Sequence, residues 1–182
     1  MKRVIYEEKE NSIYLLADET DLDYYTNIIL ELSTDKGNFL LLKDNILFFN
    51  NVVAEYINNI DGYVLDSRLN EREIGLLFNE YYYSLFNNIE SNKIVLDDTG
   101  EWIGSRYCCF SNQRHATWIY KYGGNIYIKV TPVFMEMDKD NNQEDYNKFI
   151  ANYADIFTGN ITYEELEDIS KLTQELVHNY IH

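Results

Sequence analysis

The spacing of apolar and polar residues changes period several times along the chain. "KRVIYEE" and "SIYLLAD" alternate every second residue and predict two short strands. In "ETDLDYYTNIILELSTDKG", Asp and Thr residues precede an apolar run that Gly37 closes, a pattern that predicts a helix. "NFLLLKD" predicts a strand, and "NILFFNNVVAEYINNIDG" reads as a helix from about Asn50 until Gly62. From Asn70 onward, Ile74, Leu77, Phe78, Tyr81, Tyr82, Leu85 and Phe86 recur at three and four residues, placing one apolar stripe on a helix. Four strand-like runs follow, "NKIVLDD", "EWIGSRYCCF", "RHATWIYKY" and "NIYIKVTPVF", separated by "TG", "SNQ" and "GG" as in an antiparallel meander. Two helices end the chain. "NQEDYNKFIANYADIF" stripes Tyr146, Phe149, Ile150, Tyr153 and Phe157, while "TYEELEDISKLTQELVHNYI" opens with Thr162 and Glu165 in capping-box spacing. The order of elements predicts one α+β domain over residues 1–182, a central antiparallel meander packed with helices from both ends.

A turn at Ser111 to Gln113 and a second at Gly123 and Gly124 fix which residues share a face of the meander. Ile103, Tyr107, Cys109, Thr117, Ile119, Ile126, Ile128 and Val130 fall on one side, a set suited to core. The other side collects Trp102, Arg106, Arg114, Trp118, Tyr120, Tyr122, Tyr127, Lys129 and Thr131. Two readings of that aromatic face follow. A second layer, from the N-terminal strands or a helix, covers it, with Arg106 lying over Trp118; or Trp118 and Tyr120 anchor a protein partner, since Trp, Tyr and Arg dominate binding energies at interfaces.

Charge narrows the partners. The 182 residues carry 15 Lys and Arg against 31 Asp and Glu, a net charge of −16, which repels phosphate backbones and steers association toward basic surfaces. No nucleic acid is expected as a partner. The apolar runs are too short or too interrupted for the roughly 20 apolar residues of a membrane helix, and the N-terminal residues turn acidic after Lys2 and Arg3 without the apolar stretch of a signal peptide. A cytoplasmic protein with no membrane partner is the expectation. The two cysteines, Cys108 and Cys109, are adjacent and would point to opposite faces of a strand, so they are expected reduced.

Catalytic chemistry finds little to work with. Histidine occurs only at His115, His178 and His182, and metal-binding, phosphate-loop and dinucleotide spacings are absent, so no cofactor and no metal is expected. The sharpest catalytic alternative sets Cys109 opposite His115 across a hairpin, where a hydrolase or transferase could activate the thiolate. Carboxylates gather in two places: Asp97, Asp98 and Glu101 around Gly100, and Glu136, Asp138, Asp140, Glu144 and Asp145 in "MEMDKDNNQED". The second run lacks the glycine that a calcium loop needs at its sharp turn. Both clusters read as solvated loops or as negative patches that capture a basic partner.

The "TWIYKYGGNIYIKVTPVF" stretch and the "YNKFIANYADIF" and "ISKLTQELVHNYI" runs resemble a group of small bacterial immunity proteins of polymorphic toxin and contact-dependent growth inhibition systems. The likeness lies in a Trp-Ile-Tyr strand, a glycine turn, a strand ending in "TP" plus an aromatic residue, and a "Y..F...Y" helix, over residues Thr117 to Ile181. It implies a cytosolic antitoxin that binds one cognate toxin domain, often a nuclease, and blocks its active site or substrate surface, and it carries over no catalytic residues. The net charge adds the expectation that the toxin domain is basic. A protein-interaction module with no toxin partner is the other non-catalytic reading.

Overall fold

A computed structural model describes residues 1–17, 23–71, 73–136 and 142–178, with residues 177 and 178 described by their backbone alone. It contains two four-stranded antiparallel sheets and four α-helices, which makes the chain α+β as its element order predicts. Strands β1 (Lys2–Glu8), β2 (Asn11–Leu16), β3 (Asn27–Thr34) and β4 (Gly37–Asn45) form the first sheet in chain order. Helix α1 (Ile46–Asn59) follows, capped by Asn45, whose side chain accepts from the Phe48 amide at 2.8 Å. After α2 (Ile74–Asn87) come β5 (Cys108–Ser111), β6 (His115–Tyr122) and β7 (Asn125–Pro132), then α3 (Gln143–Ala151), β8 (Phe157–Ile161) and α4 (Tyr163–His178). The second sheet runs β5-β6-β7-β8.

The helix expected over "TNIILELST" is strand β3. Ile28, Leu30 and Leu32 are buried at alternate positions while Asn27, Ile29, Glu31 and Ser33 face outward, a period of two that fits a half-buried sheet. The Asp and Thr residues that resemble an N-cap instead close a turn: Thr26 Oγ1 and the Tyr25 amide both donate to Asp23 Oδ1. "NKIVLDD" also differs from expectation, making one isolated bridge, Leu96 to Trp102. "EWIGSRYCCF" becomes a strand only from Cys108, after a short 3-10 turn at Ser105–Tyr107. The fourth strand of the second sheet is Phe157–Ile161, which the helical stripe through Phe157 had concealed: α3 stops at Ala151, and Phe157, Gly159 and Ile161 are buried at alternate positions. At the other end Thr162 and Glu165 make the expected capping box, with Thr162 N to Glu165 Oε2 at 2.7 Å and Glu165 N to Thr162 Oγ1 at 3.1 Å.

The second sheet is the middle layer. The β6–β7 hairpin turns through Gly123 and Gly124, both at positive φ, and sets Thr117 opposite Val130, Ile119 opposite Ile128 and Trp118 opposite Lys129. One face, with Cys109, Ile119, Ile128 and Val130, joins the first sheet, α1 and α4 in the larger core. The other face, with Trp118 and Tyr120, packs beneath α2 and the segment from Leu65 to Tyr107. Ile103 and Tyr107 belong to this second cluster rather than to the first face, because they precede β5 and lie on the covering segment. Gly75 lets α2 approach the sheet: a Cβ there would collide with the Tyr153 hydroxyl and the Thr131 side chain.

Candidate binding surface

Helix α2 buries Ile74, Leu77 and Phe78 at its start, and Phe78 meets Trp118 edge to face at 5.3 Å. Its apolar stripe is longer than the surface it covers. Tyr81 and Tyr82 are half-buried, and Leu85 and Phe86, one turn further, stand 57% and 55% exposed. Asn88 ends the helix in the left-handed conformation, and the Ile89 amide bonds back to Ser84 O at 2.9 Å. The chain then returns along the helix, tied by Ser91 Oγ donating to Glu80 Oε1 at 2.9 Å. Between helix and returning segment lies an open groove of about 890 Å³, with Tyr81, Leu85, Ile89, Ile94 and Leu96 among its apolar lining and Glu80, Glu90 and Lys93 among its charges.

At the far end of the returning segment, Asp97 Oδ1 accepts from the Thr99 amide at 2.8 Å, Thr99 Oγ1 at 2.7 Å and the Glu101 amide at 3.1 Å. The Thr99 hydroxyl and these amides hold the Asp97 carboxyl below the usual carboxylate range. Asp97 therefore builds the turn that displays Asp98 and Glu101, both exposed. Beside it Arg68 grips Asp66 through Nε at 2.9 Å and through a second nitrogen at 2.7 Å, pulling Asp66 down to about 2.

The second acidic cluster sits on the other flank of α2. Glu144 and Asp145 occupy the exposed first turn of α3, where negative charge meets the positive end of the helix dipole, and Lys148 pairs with them at 2.8 and 3.7 Å. The Glu136 carbonyl accepts from the Asn142 side chain. Asp138 and Asp140 lie outside the described residues, as do the side chain of His178 and all of His182. Glu80 ties the returning segment to α3, since its other oxygen accepts from Tyr146 Oη at 3.3 Å.

Trp118 and Tyr120 are not surface anchors. They are 0% and 1% exposed, and Trp118 Nε1 donates to Thr131 Oγ1 at 2.8 Å inside the second core. Arg106 reaches the Gly62 carbonyl and lies 5.8 Å from the Tyr63 ring and 5.5 Å from the Tyr107 ring, not over Trp118. The expected Cys109–His115 pairing is also absent. An irregularity between Cys108 and Phe110 leaves Cys109 without a cross-strand partner, and its thiol donates to Thr117 O at 3.2 Å. Burial pushes that thiol up. His115 instead faces the Leu40 carbonyl at 2.9 Å and the Phe39 ring.

Sequence reasoning placed Leu85 and Phe86 on the apolar stripe but not outside the core. The signal was the stripe's length of nearly four turns, set against a sheet whose width the sequence does not state. Among the described residues no group of three His, Cys, Asp or Glu side chains is arranged to hold a metal ion, and no helix is long and apolar enough to cross a membrane. Comparison with family models, curated proteins and solved structures returns no match.

Proposed function

We propose that this chain is a cytosolic immunity protein that binds a cognate basic toxin domain and occludes it. The observation that carries this reading is the charge of −16 together with exposed carboxylates on both flanks of α2, Asp98 and Glu101 on one side and Glu144 and Asp145 on the other. Such a field accelerates encounter with a positive partner and rejects like-charged ones. The resemblance of the Thr117 to Ile181 stretch to immunity proteins supports the same reading. Inhibition requires only that the toxin's catalytic or substrate-binding surface be covered.

The test is co-expression with the product of an adjacent reading frame that is toxic when expressed alone. The two chains are expected to co-purify at moderate salt and to separate as salt rises, and growth is expected to be rescued. If the chains fail to co-purify and growth is not rescued, the proposal is overturned. Rescue by trace amounts of inhibitor, far below the toxin's own, would point to turnover instead of occlusion and overturn it equally.

A further inference from the structure

We propose that the groove between the C-terminal half of α2 and the 88–96 segment docks a basic polypeptide segment that inserts an apolar side chain among Leu85, Ile89 and Leu96. This rests on the basic-partner reading and adds the place and chemistry of the contact. Leu85, Phe86, Ile89 and Leu96 are 57%, 55%, 46% and 49% exposed, a concentration of large apolar side chains within one short length of chain. They continue the second core outward, because Tyr81 packs on Trp102 at 6.1 Å and Tyr82 on Phe86 at 6.5 Å. An inserted side chain would thus land on an already ordered aromatic layer.

Charge selects the occupant. The groove lining carries Glu80 and Glu90 against Lys93, and at the end of the returning segment Asp97, Asp98 and Glu101, with Asp66, outnumber Arg68 and Arg106. A second copy of this chain would bring like charges together across the groove, whereas a basic segment would neutralise them. Glu80 is held from both sides by Ser91 and Tyr146, so part of the groove wall is set before binding and little ordering cost remains. A second exposed apolar group, Leu40, Leu47 and Phe48, has Lys43 and Asp44 side by side in the chain, so its local charges balance instead of being net acidic.

The probes are two short synthetic peptides with identical lysines, one with leucines spaced for an amphipathic helix and one with each leucine replaced by serine. Both are titrated at low salt into the full chain carrying labelled Leu and Ile methyl groups. The leucine peptide is expected to bind at least about tenfold tighter and to shift the methyl signals of Leu85, Ile89 and Leu96. Combining Leu85→Ser with Ile89→Ser should remove that advantage, while Leu47→Ser should leave it. Should the double variant fail to fold, the peptide ratio and the methyl map on the native chain still decide. Equal binding of the two peptides, or shifts centred elsewhere, overturns the groove while leaving the basic-partner reading intact. Failure of both peptides to bind removes the electrostatic reading as well. A reversible dimer abolished by Leu85→Ser would make a second copy the occupant and overturn the proposal.

Discussion

The ring of Tyr83 on α2 lies flat on the ring of Tyr146 on α3, centroids 3.7 Å apart and planes 5° from parallel. Tyr83 Oη also donates to Gln143 Oε1 at 3.1 Å, and the edge of Phe134 meets both rings. This small third cluster fixes the acidic first turn of α3 beside α2. Tyr146→Ala should cost about 3–5 kcal/mol by the cavity it leaves. Tyr146→Phe, which keeps the stack and loses only the bond to Glu80, should cost about 0.5–1.5 kcal/mol. Urea denaturation of the two variants checks the difference; equal costs would mean the stacked ring carries no packing energy.

Trp118 offers a sharper test of the middle-layer architecture. Its indole is fully buried against Phe78 and Trp102 and hydrogen-bonded to Thr131. Trp118→Ala should destabilise by about 3–5 kcal/mol, with loss of partner binding only to the extent that the fold is lost. A variant with unchanged melting and abolished binding would place Trp118 at an interface and contradict its burial.

The contrast between these two tests reflects what a sequence can carry. Alternation separates the faces of β6 and β7, since a slip of one residue would exchange Ile119 for Trp118 or Tyr120 on β6 and Ile128 for Tyr127 or Lys129 on β7. The helix of Ile74 to Phe86 and the Thr162–Glu165 cap were legible because they depend on local spacing. Strand β3 was misread as a helix because "NIILEL" is short enough to satisfy both periods, and only pairing with β2 and β4 decides between them. Strand β8 was hidden because five residues following a helical stripe acquire strand identity from β7. The face covered by α2 is likewise a property of packing, which is why Trp118 and Tyr120 could be read either as core or as anchors.

Lys129 and Asp155 provide an asymmetric pair. Lys129 is a charged side chain only 4% exposed, with Nζ donating to Asp155 Oδ2 and the Glu71 carbonyl at 2.8 and 2.9 Å, whereas Asp155 is 30% exposed. Removing the acid strands a buried cation; removing the lysine leaves a carboxylate that water reaches. Asp155→Ala should therefore cost about 3–5 kcal/mol, and Lys129→Met clearly less. A double-mutant cycle measured by chemical denaturation checks the order, and a larger loss for Lys129→Met would refute it.

Alkaline pH should unfold the protein before its buried acids titrate. Burial raises the Cys109 thiol and pushes Cys108 up to about 12; it likewise raises the Tyr6, Tyr56, Tyr120, Tyr146 and Tyr153 hydroxyls above their ordinary value. All these groups are neutral when protonated, so the fold favours the protonated form. In the unfolded chain thiols release protons near pH 8.5 and phenols near about 10, so above those values the unfolded state binds fewer protons and stability falls as pH rises. The stabilisation is complete below about pH 8 and declines from there through the thiol value near 12. The urea midpoint should fall steadily over this range, and tyrosinate absorbance should show an early reversible phase from exposed side chains such as Tyr25, followed by a cooperative phase coincident with loss of circular dichroism. A single ordinary phenol titration in a chain that stays folded would refute the burial of these hydroxyls.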